Sequence, residues 1–137
     1  MSSHSDYRAV VHNQNFIRFA NGGDSLCDYD FSCGWGVRLI AALRKNINYY
    51  GTDPNYLLVD KLNELTTDWK NTIKNNSLVD IRAQGSEILI PEWKNKMGLA
   101  FSSPPYFNLE DYKIGNQSYK KETTYNEWIT NYIYPTV

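Results

Sequence analysis

Residues 25–37 read Ser-Leu-Cys-Asp-Tyr-Asp-Phe-Ser-Cys-Gly-Trp-Gly-Val. Leu26 to Phe31 has the short, aromatic-rich make-up of a buried strand, so the spacing predicts a strand over 25–31. Gly34 and Gly36 then break it, and Val37, Ile40, Ala41 and Leu43 fall at helical spacing behind them. Strand, glycine loop and helix in that order are the opening unit of an α/β domain with a parallel sheet.

The same alternation continues downstream. A second strand is expected over 47–52, and Asp53-Pro54 offers an N-cap followed by proline at the first helical position. Leu58, Leu62, Leu65 and Trp69 recur at i, i+4, i+7 and i+11, one apolar face of a long helix. A third strand is expected over 78–83, followed by the turn Gln84-Gly85-Ser86-Glu87, and a fourth over 97–102. Residues 108–121 are polar and rich in turn formers. Thr124-Tyr125-Asn126-Glu127 opens a last helix carrying Trp128, Ile129, Tyr132 and Ile133, a stripe read as core. Residues 1–24 lack a clear period and are expected to form an irregular arm, which leaves 25–137 as the domain.

Composition bounds the function. The 137 residues, 42% hydrophobic and 15% aromatic, suffice for one domain with a core. Fourteen basic residues against fifteen acidic give a formal charge of -1, so a nucleic acid partner would have to be met by a local patch. No apolar run approaches the ~20 residues of a membrane span, and the start is unlike a secretory signal. A soluble, cytoplasmic protein is expected. Cys27 and Cys33 lack metal-ligand spacing, with only His4 and His12 as companions, so they read as free thiols and no metal site is expected.

The residues between the elements carry the chemistry. In an open parallel sheet ligands bind beyond the carboxyl ends of the strands, where Gly34 and Gly36 would bring backbone close to a ligand. Asp53 follows Asp30 by 23 positions and is placed to take ribose hydroxyls. The dinucleotide fingerprint needs a third glycine where this chain has Leu39, which disfavours a pyrophosphate ligand. An acid beside the loop suits an ammonium instead. Trp35 and Arg38 could line such a pocket, and Trp35 could equally pack on the sheet. At the end of the fourth strand stands Ser103-Pro104-Pro105-Tyr106, whose two prolines fix a stiff backbone path. No G-x-S-x-G context surrounds Ser103, so it is not read as a covalent nucleophile.

Taken together, Asp30 to Gly36 and Ser103-Pro104-Pro105-Tyr106 resemble the cofactor and catalytic motifs of amino-group DNA methyltransferases that carry an Asp/Asn/Ser-Pro-Pro-Tyr loop. Residues 50–55 resemble the family's ribose-binding turn, and residues 84–87 its third-strand turn beside the adenine ring. The resemblance implies a Rossmann-like α/β fold with strand order 3-2-1-4 and flanking helices. It implies S-adenosylmethionine as cofactor, bound by Asp30, Phe31, Ser32, Cys33, Gly34, Gly36, Asp53, Pro54, Ser86 and Glu87. It gives the catalytic loop to Ser103, Pro104, Pro105 and Tyr106. Ser103 and the Pro104 carbonyl would accept the protons of an exocyclic amine on cytosine (N4) or adenine (N6), and Tyr106 would stack on a base flipped out of DNA. Serine at the first position is associated more with cytosine than with adenine. RNA or a protein amide is a variant substrate.

Family members continue to seven strands, whereas this sequence carries about four. The fourth would be left as an edge open to a second copy or another chain. The alternative is a catalytically silent or partner-completed binding or assembly module of the same fold.

Overall fold

A computed structural model describes residues 27–107, 121–122 and 124–136 of the chain. The expected arm over 1–24, and most of 108–121, lie outside these residues. Four strands, β1 (Cys27–Asp30), β2 (Asn48–Thr52), β3 (Val79–Arg82) and β4 (Leu99–Ala100), form one parallel sheet in the order β3-β2-β1-β4. β1 pairs with β2 from Cys27 opposite Asn48 to Asp30 opposite Gly51. On its other side β1 meets β4 through Asp28–Leu99 and Tyr29–Ala100. The chain is an α/β domain with the expected strand order.

Each strand sends alternate side chains to opposite faces. Tyr49 and Ile81 point to the face covered by helices α1 (Val37–Arg44) and α2 (Tyr56–Thr72), where Leu39, Ala42, Leu43, Val59 and Leu62 close the main core. Complete burial of a leucine such as Leu39 contributes roughly 1.5–3 kcal/mol. Leu58, Leu65 and Trp69 pack along the margin of this core, so the apolar face of α2 is centred on Val59, Leu62 and Thr66, slightly to one side of the leucine stripe. The opposite face carries a smaller cluster of Cys27, Tyr50 and Trp93, with Tyr29, Ile90 and Met97 at its edge. Trp93 comes from a 3₁₀ turn, Pro91–Trp93, and meets Tyr50 edge-on at 5.2 Å between ring centroids.

Two elements depart from the sequence pattern. The cap of α2 is Asn55, whose side chain accepts the Leu58 N–H, and Pro54 precedes it. Both Asp53 and Asn55 can cap a helix, and tertiary contacts decide between them: Asp53 is drawn to the neighbouring loop. β4 is confined to Leu99–Ala100, shorter than the expected 97–102, because it has only β1 beside it among the described residues. The last helix, α3, starts at Tyr125–Trp128 behind a capping box made by Thr124 and Glu127. It runs through a π-helical stretch, Ile129–Ile133, into Tyr134–Thr136, burying Trp128 and Tyr132. Among the described residues no helix is long and apolar enough to cross a membrane.

Candidate functional site

The strand order reverses between β1 and β4: the chain moves outward from β1 to β2 and β3, then returns to the other flank of β1. Such a reversal opens a crevice at the carboxyl ends of the two strands, the usual ligand position in open α/β sheets. Asp30 ends β1 there, wholly buried. One carboxylate oxygen, Oδ1, accepts the Ser32 N–H at 3.3 Å and the Ser102 hydroxyl at 2.6 Å. The other, Oδ2, accepts the Tyr49 hydroxyl at 2.6 Å and Arg38 Nε at 2.7 Å. These four donors match the roughly four lone-pair positions of a carboxylate. Arg38 balances the charge and also donates Nη2 to the Ser32 carbonyl, so Asp30 and Arg38 together hold the loop that follows β1. The Asp30 carboxylate is thus engaged with its own chain.

The glycine loop is fixed from β2 as well. Cys33 donates its N–H to the Thr52 carbonyl at 3.0 Å, and Gly34 donates its own to Asp53 Oδ2 at 3.0 Å. Asp53 Oδ1 accepts the Asn55 N–H at 2.9 Å. Gly36, at φ 77°, adopts the left-handed conformation, and a Cβ there would lie 2.4 Å from Leu62 Cδ2. Asp53 is only 8% exposed, and burial pushes its carboxyl above the ordinary range against the opposing effect of its two N–H donors. Burial also raises the Cys33 thiol and the Tyr49 phenol, with the Asp30 charge adding to both. Cys33 is accordingly a packing residue of the loop.

The turn after β3 reaches the same end of the sheet. Ser86 is buried and hydrogen-bonded to Thr136 of α3 at 2.9 Å, while Glu87 accepts Lys121 Nζ at 2.7 Å. Tyr132 is pushed up to about 12 by burial, with Glu87, Tyr29 and Asp53 contributing their charge. α3 therefore lies over the carboxyl edge, a placement that its apolar stripe alone does not reveal.

Ser103 and Tyr106 stand exposed, Tyr106 at 62%, with Pro104 and Pro105 half-buried between them. The next residue, Phe107, packs against Tyr125 and Trp128 at 5.8 and 5.9 Å between centroids. Phe31 is half-buried against Tyr29, and Trp35 is 83% exposed at the tip of the glycine loop. The structure thus gathers Asp30, Ser32, Cys33, Gly34 and Asp53 into one bonded unit and adds Arg38, Tyr49 and Ser102 to it. Sequence reasoning missed Tyr49 and Ser102, whose partner lies far along the chain. The only available signal was that a buried strand-end acid must find donors.

Against known proteins, the chain matches no family model and no curated protein.

Proposed function

We propose that this chain is an S-adenosylmethionine-dependent methyltransferase acting on the exocyclic amine of cytosine (N4) or adenine (N6) in DNA. One observation carries the reading. The Ser103-Pro104-Pro105-Tyr106 loop leaves β4 at the point where the strand order reverses, and the residue before it is bonded to the acid that anchors the glycine loop.

The donor set suits this cofactor. Asp53 keeps lone pairs beyond the two N–H groups it accepts, so it could receive ribose hydroxyls. A Cβ built on Gly34 would meet nothing nearer than the Ser32 carbonyl at 4.0 Å, so the backbone there faces open space. Arg38, in the first turn of α1, is committed to Asp30, which leaves the crevice better matched to a ligand without phosphate. When bound, S-adenosylmethionine supplies a methyl group that leaves sulfur as the amine nitrogen forms the N–C bond, sulfur keeping the electron pair of the broken bond.

The chain's own part is positioning. Ser103 Oγ and the Pro104 carbonyl accept the amine's hydrogens and hold its nitrogen lone pair out of conjugation with the ring, and the proton released on transfer passes from these acceptors to solvent. Tyr106 presents an exposed ring to the flipped base. Incubation with methyl-tritiated S-adenosylmethionine and DNA tests the reading: label should appear on base amines, and Ser103→Ala should abolish it. Absence of transfer to any nucleic acid by the folded protein would reject it.

A silent module of the same fold is the second reading. It is favoured by the engagement of Asp30 and Ser86 with their own chain. That reading predicts an unchanged phenotype for Ser103→Ala in every assay.

A further inference from the structure

We propose that Ser102, a residue outside the Ser-Pro-Pro-Tyr motif, is a positioning residue that fixes the acceptor loop against the glycine loop. The functional half of this inference rests on the methyltransferase reading; the mechanical half does not. Ser102 donates its hydroxyl to Asp30 Oδ1 at 2.6 Å, a short bond to the side chain whose other oxygen accepts Arg38 Nε at 2.7 Å. The bond spans 72 positions of sequence and joins the end of β4 to the end of β1.

The strand leading into this loop is short. β4 has two residues, and just beyond it the Phe101 N–H donates to the Tyr29 carbonyl at 3.0 Å. Within the loop, Pro104 and Pro105 have no N–H to give. Two prolines make the loop stiff, but stiffness alone does not say where it points. The Ser102 hydroxyl supplies that reference at the loop's start, one residue before the side chain that would accept the amine, as the packing of Phe107 on Tyr125 and Trp128 does at its end. Because the same Asp30 oxygen accepts the Ser32 N–H, the reference is shared with the glycine loop.

Removing the hydroxyl should therefore leave the cofactor contacts of Asp53 and Gly34 in place while letting the acceptors drift. A displacement of about 1 Å is enough to cost on the order of 100-fold in rate. Ser102→Thr keeps the hydroxyl and should restore what Ser102→Ala loses.

Two measurements decide it. Hydrogen exchange by mass spectrometry on the cofactor-free protein should show faster exchange in Ser102→Ala at the Ser32 and Phe101 amides, unchanged exchange over 56–72, and wild-type behaviour in Ser102→Thr. Unchanged exchange in both loops of Ser102→Ala would overturn the tie. Calorimetric titration with S-adenosylmethionine and tritium transfer to DNA should show a dissociation constant within about threefold of wild type and kcat reduced roughly 10- to 100-fold, recovered by threonine. Weakened cofactor binding with unchanged kcat would overturn the positioning role. If the wild-type chain neither binds the cofactor nor transfers label, the methyltransferase reading has failed, and the exchange result alone supports or overturns the tie between the loops.

Discussion

The carboxylate of Asp53, just past β2, accepts the backbone N–H of Gly34, in the loop after β1, at 3.0 Å. An acid from one strand end thus holds the glycine loop of its neighbour. Burial raises the Asp53 carboxyl, so protonation is reached at a higher pH than for a free aspartate.

Cofactor affinity should follow that titration. Ribose hydroxyls donating to Asp53 would bind the ionised carboxylate and lower its pKa, so affinity is full above the raised Asp53 pKa and falls about tenfold per pH unit below it. In Asp53→Asn the affinity should be weak and nearly independent of pH. Calorimetric titration across the acid range with both proteins checks this.

Gly36→Ala should destabilise the domain by about 2–4 kcal/mol, from the left-handed φ and from the collision of the new methyl with Leu62. Urea unfolding should show a lower midpoint with an unchanged slope.

The Asp30–Arg38 pair is buried on the acid's side, and removing one partner strands the other. Arg38→Met should cost about 3–5 kcal/mol. In Asp30→Asn with Arg38→Met the two costs should sum to less than the separate losses, since no charge is then left unpaired. A double-mutant cycle on urea midpoints measures the coupling.

Asp28 lies buried in β1 and is pushed from the ordinary 3.8 up to about 8, by burial first and by the charge of Asp30 second. The native carboxyl keeps its proton up to about 8 while the unfolded one releases it near 3.8. Its contribution to stability is therefore fully present below 3.8 and is lost as pH rises toward 8. Asp28→Asn should flatten the decline in melting temperature over that interval, which a thermal-melt series in pH tests.

Much of this fold is legible locally. β1, the glycine loop and α1 follow one another in 27–44 because strand composition, glycine and helical period are all local signals. The order of the strands came from resemblance. Local rules fail where two residues compete for one role, as Asp53 and Asn55 do at the cap of α2, and the outcome is set by Gly34, 19 positions away. They fail again at β4, where an apolar run promises six residues of ladder and its one neighbour among the described residues, β1, supports two. For the site, the spacing of glycines and acids marks where a ligand could sit. Ser102 and Tyr49 are invisible in it, because what gives them meaning is Asp30, reached only through the folded sheet.

Calorimetric titration of the purified chain with S-adenosylmethionine tests the central claim most directly, with Asp53→Ala as control. The account predicts saturable binding to the wild type and its loss in a mutant that still melts cooperatively. A folded wild-type chain that binds no cofactor at millimolar concentration, or an Asp53→Ala protein that binds it equally well, would contradict the account.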